Sequence, residues 1–214
     1  MTVYALQGDY LSELTYLVCE EGKALVVDPG TNSQRVLAAC KRLSVTPIAV
    51  LLTHGHADHA LGAAGLQREG IKIYAHREEV SVVNSKANLS IALGFGMEPF
   101  TPDVLVKDDD VLDLAPFTVK VIHTPGHTQG GVCYLLGGKL FTGDTLFPGS
   151  YGRTDFPTGD EQDLLCSIAN VLFELPPETE VYAGHGFAPS SGAVCAPQTT
   201  IGEEYSTNPI LNLL

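Results

Sequence analysis

Within Thr53-His54-Gly55-His56-Ala57-Asp58-His59 the chain crowds three imidazoles and one carboxylate. Neutral imidazole and carboxylate are the usual protein ligands of zinc and related divalent metals. The alternation His54-x-His56 throws two imidazoles to one side of an extended backbone. The stretch directly follows the apolar run Ile48-Ala49-Val50-Leu51-Leu52, which is short, preceded by Pro47, and reads as a buried strand. The histidines therefore leave a strand end on a loop, where a rigid scaffold can hold them. Three more candidates fall on strand-end turns: His127 in Pro125-Gly126-His127-Thr128, Asp144 in Thr142-Gly143-Asp144-Thr145, and His185 in Gly184-His185-Gly186. The remaining histidines, His76 and His123, lie near strand ends without a partner motif and read as structural or supporting residues.

This inventory fits a two-metal site. One ion would take His54, His56 and His127, and the other Asp58, His59 and His185. Asp144, with two carboxylate oxygens, can bridge both. Two metals about 3.5–4 Å apart can hold a hydroxide between them and polarise a substrate carbonyl. The pKa of water falls from about 15.7 to about 7 in such a setting, so no serine or cysteine nucleophile is needed. No Gly-x-Ser-x-Gly elbow competes with this reading. Zinc is the first expectation for the two divalent ions, and the same ligands would bind iron or manganese.

A chain of 214 residues leads to the expectation of one domain over 1–214. The net charge of −13, with only 12 basic residues, argues against nucleic acid or an anionic membrane as partner. No apolar run approaches the roughly 20 residues of a membrane span. Met1 to Ala5 lacks a basic region followed by an apolar stretch, so no signal peptide is expected. Cys19, Cys40, Cys133, Cys166 and Cys195 are scattered and contain no Cys-x-x-Cys, as suits idle thiols in a reducing cytoplasm.

The elements that must position the candidates follow from patterning. Strands are expected at 2–6, 14–19, 23–27, 48–52, 72–75, 111–114, 117–123, 132–136, 139–142 and 180–183. Helices are expected from a cap at Asn32 or Ser33 through Leu43, from Ala60 to Glu69, from Glu78 to Ser85, and from Glu161 to Glu174. Asp28-Pro29-Gly30 reads as a turn. The stretch 87–106 mixes Gly94, Gly96, Pro99 and Pro102 with Ile91, Leu93, Phe95, Met97 and Phe100. It is either a lid or substrate-facing loop, or a loop packed on the core. Asp108-Asp109-Asp110 reads as a solvated turn, and the tail to Leu214 as short, with no domain of its own. The mixture is α/β or α+β, with sheets covered by helices.

His54-x-His56-x-Asp58-His59, with the later His127, Asp144 and His185, resembles the metallo-β-lactamase superfamily. The resemblance covers nearly the whole chain. It implies a four-layer αβ/βα sandwich with the metals at one edge between two sheets. Phe147-Pro148-Gly149-Ser150-Tyr151-Gly152-Arg153-Thr154-Asp155-Phe156-Pro157 resembles two neighbouring groups, the small glyoxalase II-like thioesterases and the persulfide dioxygenases. Thr199-Thr200-Ile201-Gly202-Glu203-Glu204, with Thr207-Asn208-Pro209, looks most like the short glyoxalase II-like (hydroxyacylglutathione hydrolase-like) proteins. Asp144 in place of cysteine sets the chain apart from true β-lactamases, and His56 in place of glutamate from flavodiiron proteins.

The resemblance implies hydrolysis of a small thioester such as S-lactoylglutathione, a metal-bound hydroxide attacking the thioester carbonyl. Asp58 would position or deprotonate the water. Arg153 aligns with a basic residue of the full-length glyoxalase II enzymes and could hold a substrate carboxylate. Asp155 stands where those enzymes place a tyrosine near glutathione, and a structural pairing of Arg153 with Asp155 or Asp160 is the alternative. The alternative activity is a persulfide dioxygenase with one iron on His54, His127 and Asp144, since two histidines and a carboxylate suffice for oxygen activation.

Overall fold

Along the early strands successive apolar residues go to opposite faces. Tyr16, Val18, Leu25, Val27, Ala49 and Leu51 enter one core cluster, whereas Leu17, Cys19, Ala24, Val26 and Val50 enter another. A strand buried on both faces reads as a near-continuous apolar run, which is why Leu14–Glu20 shows no alternation in its sequence.

The computed structural model describes residues 1–94, 96–190 and 192–213. The first sheet has 6 strands in sequential order: β1 (Thr2–Gln7), β2 (Leu14–Glu20), β3 (Lys23–Val27), β4 (Thr46–Leu51), β5 (Lys72–His76) and β6 (Val104–Val106). Helices α1 (Ser33–Leu43), α2 (Ala57–Ala60), α3 (Ala63–Arg68) and α4 (Glu79–Val83) fall between its later strands. After it come β7 (Val111–Leu114), β8 (Phe117–His123), β9 (Val132–Leu136) and β10 (Lys139–Gly143), then a small hairpin of β11 (Leu146–Phe147) and β12 (Ser150–Tyr151). Helix α5 (Glu161–Asn170), β13 (Glu180–Ala183), β14 (Thr199–Thr200) and α6 (Ile201–Thr207) complete the chain. The second sheet also has 6 strands, in the order β14-β13-β10-β9-β8-β7.

The sheets face each other across the cluster of Tyr16, Leu51, Val121, Tyr134, Phe141 and Tyr182. The outer face of the first sheet packs Leu17, Val26 and Val50 on Val36 of α1 and Leu66 of α3. The outer face of the second packs Leu140 and Val181 on Leu164 and Ile168 of α5 and Ile201 of α6. Helix, sheet, sheet, helix is the four-layer αβ/βα sandwich. Among the described residues no helix is long and apolar enough to cross a membrane.

Asn32 caps α1, its side chain accepting from the Arg35 N–H at 3.0 Å. The continuous helix expected over Ala60–Glu69 is instead broken into α2 and α3. At the break the Gly62 N–H turns to the Pro29 carbonyl, 2.8 Å away. A Cβ at Gly62 would lie 2.3 Å from the Thr31 carbonyl oxygen, so the break needs glycine. The other long helix expectation also shortens: α5 stops at Asn170, and Leu172–Glu174 forms a 3-10 turn. Segment 87–106 divides between roles, with Phe100 and Met97 on the core and Val104–Val106 as the edge strand β6. Phe95 of that segment lies outside the described residues. The tail supplies β14 and α6, the latter capped by Thr200 accepting from the Glu203 N–H.

Candidate metal centre

The candidate ligands gather at one edge of the sandwich. β4 and β5 run parallel to β3, and β13 runs parallel to β10. β8 and β10 both pair antiparallel with β9 and so share a direction. His54 and His56 leave the C-terminal end of β4, and Asp58 and His59 ride the single turn of α2. His127 follows β8, Asp144 follows β10, and His185 follows β13. Hydrogen bonds lock the two sheets together just before these residues. The Tyr134 hydroxyl donates to the Leu52 carbonyl at 2.9 Å, and the Tyr16 hydroxyl to the Ala183 carbonyl at 2.6 Å.

His54, His56 and His127 form one group whose ligand atoms lie within 4.8 Å of one another, and Asp58, His59 and His185 form a second. Asp144 lies between them. Its Oδ2 is 3.4 Å from His127 Nε2 and 3.2 Å from His185 Nε2, and its Oδ1 is 3.3 Å from His59 Nε2. Asp58 Oδ2 is 3.8 Å from His59 Nε2 and 3.7 Å from His185 Nε2.

In four of the five imidazoles the Nδ1 is occupied from behind, which turns Nε2 inward. His54 Nδ1 is 3.0 Å from the Thr53 hydroxyl, which itself donates to Asp28 and so accepts from the ring. His59 Nδ1 is 3.1 Å from Asp28 Oδ2. His127 Nδ1 donates to the Arg153 carbonyl at 2.7 Å, and His185 Nδ1 to the Leu11 carbonyl at 2.8 Å. His56 is the exception, with Nδ1 facing His127 Nε2 at 3.0 Å. Packing at the centre excludes side chains elsewhere. A Cβ on Gly184 would lie 2.5 Å from Asp144 Oδ1 and 2.7 Å from His59 Cε1.

The donor set fits a metal. His54 Nε2 and Asp144 Oδ1, which face the centre, are buried without any hydrogen-bond partner, and such atoms are costly unless something fills them. Burial would raise the Asp144 carboxyl, but the charges of His59 and His185 outweigh it and hold it well below the usual carboxylate range. Burial would likewise lower His59, yet Asp144 and Asp58 lift it well above an ordinary imidazole. Burial, with His59 and His56 next in effect, lowers His54 and keeps it a neutral donor. Asp28, His54 and His59 also bring ligand atoms together. Asp28, however, already accepts from the Thr53 N–H, the Thr53 hydroxyl and His59, so it acts as a brace.

Sequence reasoning passed over several residues at the centre. Asp28 reads as a turn residue, although it holds the loop after β4. Glu79 accepts from the Gly130 N–H at 2.9 Å and from the Gly55 N–H, so one buried carboxylate ties the loop of His54 and His56 to that of His127. Burial pushes Glu79 up to about 7 against those hydrogen bonds. Glu13 is fully buried beside Thr15, and burial raises its carboxyl well above the usual range. The partners of Asp28 and Glu79 are distant in sequence, and only an unusual acid in an apolar stretch could have marked Glu13.

Two cavities open onto the centre. One of about 210 Å³ is walled by Leu11, Leu89, Leu93 and Phe156 over His56, Asp58 and Asp144. Leu89 and Leu93 bring part of segment 87–106 to the site. The other, of about 580 Å³, lies between Phe147, Pro148 and Gln198, and shares Asp144, Arg153 and His185 with the first. Arg153 is exposed at this boundary. Its guanidinium donates through both Nε and NH2 to Asp155 at 2.6 Å and stacks 3.9 Å above the Phe156 ring. His76 and His123 are not in the centre but stack on each other, with ring centroids 4.3 Å apart. The described cysteines are all unpaired, and burial pushes Cys40 and Cys133 up to about 12.

Residues 8–185 match the model of the metallo-beta-lactamase superfamily, and the chain belongs to that family. It is 34% identical over 203 residues to a probable metallo-hydrolase, YqgX, of Bacillus subtilis, covering 92% of this chain and 91% of that protein. It is 34% identical over 200 residues to the hydroxyacylglutathione hydrolase GloC of Haemophilus influenzae, covering 90% and 89%. Among solved structures, the BLEG-1 B3 metallo-beta-lactamase superposes with a TM-score of 0.88 at 34% identity, over 98% of this chain and 99% of that one. A di-iron-bound form of TTHA1623 gives 0.81 at 33% identity, over 96% and 98%. ETHE1 from Myxococcus xanthus gives 0.76 at 33%, over 98% and 84%. The superfamily membership and the His/Asp cluster together define a hydrolase-like enzyme built for divalent metals.

Proposed function

We propose that this protein hydrolyses small thioesters of the S-lactoylglutathione kind, using two divalent ions held by His54, His56, His127 and by Asp58, His59, His185, with Asp144 between them. The observation that carries the reading is Asp144, whose two oxygens lie within 3.4 Å of imidazoles from both groups. The likeness to the Haemophilus hydrolase supports the substrate class. The ions would supply a water nucleophile at neutral pH and polarise the thioester carbonyl.

The chain's own residues then have defined tasks. Asp58, on the cavity floor, holds the attacking water by its carboxylate and takes its proton. Leu11, Leu89, Leu93 and Phe156 exclude bulk water around the acyl group. The larger cavity, within the usual range of about 300–1,000 Å³ for small-molecule sites, takes the thiol carrier. Arg153 pairs with a carboxylate of that carrier, exchanging it for Asp155, because an exposed ion pair is held weakly.

A second reading, persulfide oxidation at a single iron on His54, His127 and Asp144, rests on the resemblance of residues 147–157 to the persulfide dioxygenases and on the approach of Asp144 Oδ2 to His127 Nε2 at 3.4 Å. One preparation tests both. Metal content is measured beside S-lactoylglutathione loss, oxygen uptake with glutathione persulfide, and opening of a chromogenic β-lactam. About two ions per chain with thioester turnover is the expected result. One iron with oxygen uptake, or β-lactam opening without thioester turnover, overturns it.

A further inference from the structure

Of the histidines outside the centre, both stand together. His76 closes β5 in the first sheet and His123 closes β8 in the second, and their rings stack at an interplanar angle of 17°. Glu78, two residues past His76, brings a carboxylate oxygen to them. His76, Glu78 and His123 each offer a ligand atom, and these atoms lie within 4.8 Å of one another.

The state of the two rings points to a ligand. His76 is 2% exposed, and its Nδ1 is buried without a hydrogen-bond partner. Among the described residues the other imidazole nitrogens in that condition belong to His54 and His56, both in the candidate metal centre. The remaining atoms of this kind outside the centre, again among the described residues, are hydroxyls of Thr128 and Thr158, which can rotate towards a partner. His123 Nε2 lies 3.1 Å from the Gln129 carbonyl, which fixes the proton on that nitrogen and leaves Nδ1 as a bare donor. Asp108 adds negative charge beside the cluster, its carboxylate accepting from the backbone N–H of His123 at 2.8 Å.

We propose that His76, Glu78 and His123 form a second divalent-cation site, of the zinc class, separate from the main centre. Zinc accepts imidazole and carboxylate at about 2.0–2.2 Å in tetrahedral sites. In the stack the two lone pairs lie in nearly parallel planes, so on binding the half-buried His123 ring turns out of the stack and the exposed Glu78 rotates to close the remaining gap; water completes the shell. A cation here bridges the two sheets behind the centre. It also fixes the start of α4, whose Glu79 holds Gly55 and Gly130.

The test compares the whole protein with His123→Gln and Glu78→Gln. All three are loaded at the main centre, dialysed against buffered micromolar zinc, and counted for metal by mass spectrometry. The same samples are melted with and without added zinc. The wild type is expected to retain one more zinc per chain than either variant, and to bind that last ion at least about tenfold more tightly. Zinc binding to the native state alone also raises the wild-type Tm, an increment the variants lack. Because the readout is a difference between proteins, it does not depend on how many ions the main centre holds or what it hydrolyses. Melting curves without added zinc separate a lost ligand from a lost fold. If His123→Gln does not fold, the exposed Glu78→Gln carries the comparison. Equal zinc counts in wild type and a folded variant overturn the site.

Discussion

His59 and His185 approach within 3.2 Å at Nε2, yet they are held in opposite ways. His59 has no exposed side-chain surface and is backed by the Asp28 carboxylate, which also accepts twice from Thr53. His185 keeps 24% of its side-chain surface exposed and is backed by a single carbonyl, that of Leu11. The same contrast separates His54, reached by Asp28 through Thr53, from His127, held by the Arg153 carbonyl. His54 and His59, on the first sheet's side, are thus braced through one buried charge. His127 and His185, on the second sheet's side, are braced by loop backbone, that of Arg153 and of Leu11 in the β1–β2 connection, at residues that also line the cavities. A charged acceptor makes the stronger hydrogen bond, so the first half is the fixed side of the site and the second the adaptable side.

The largest effects are expected where both halves must act together. His56→Ala and Asp58→Ala should abolish thioester turnover while leaving circular dichroism and melting close to wild type. If a single iron on His54, His127 and Asp144 did the chemistry, those changes would hurt far less than His127→Ala. Turnover by all three variants, measured beside their metal content, therefore decides whether the two groups are one machine.

Next comes the brace itself. Asp28→Asn keeps the size but turns an N–H towards groups that need an acceptor. Each buried donor left unpaired costs about 1–3 kcal/mol, readable in urea melts of the metal-free protein. Loss of an outer hydrogen bond to a metal-binding imidazole weakens metal binding about 10–100-fold. A metal-buffered titration should show this loss most at the group of His59, which Asp28 touches directly, and less at the group of His54, which it reaches through Thr53. Affinity as in the wild type at both groups would mean that the buried charge is not what fixes this side.

Glu79→Gln should act more mildly. Its one carbonyl oxygen can satisfy Gly55 or Gly130, but not both as the carboxylate does. The expected cost is about 1–3 kcal/mol for one orphaned N–H, with metal affinity falling at the group of His54, His56 and His127. Unchanged affinity at that group would mean that the loops hold themselves.

These braces show why the site was only partly legible in the sequence. The candidate ligands announce themselves through residue type: His54, His56, Asp58 and His59 fall within six residues, and the others sit on glycine-flanked strand ends. The sheets were legible for the same reason, since runs such as Leu14–Glu20 and Thr46–Leu51 are apolar and short. The braces are not legible. Leu11 and Arg153 act through backbone carbonyls, which carry no sequence signature. Glu79 acts on two glycine N–H groups, one of them 51 residues away. The break between α2 and α3 depends on a carbonyl of Pro29, which helical periodicity cannot register.

Arg153 offers the smallest and most discriminating change. Its carbonyl holds His127, while its guanidinium lies outside, on Asp155 and Phe156. Arg153→Ala removes only the second. The backbone brace stays, and an exposed ion pair is screened by solvent and adds little to stability, so metal content and melting should hold. If the guanidinium receives a substrate carboxylate, KM for a thioester carrying one should rise several-fold with kcat nearly unchanged. A thioester of similar size without a carboxylate should respond little. An equal rise for both substrates would mean that Arg153 acts by holding Asp155 and Phe156 in place, and the adaptable side of the site would then select by shape alone.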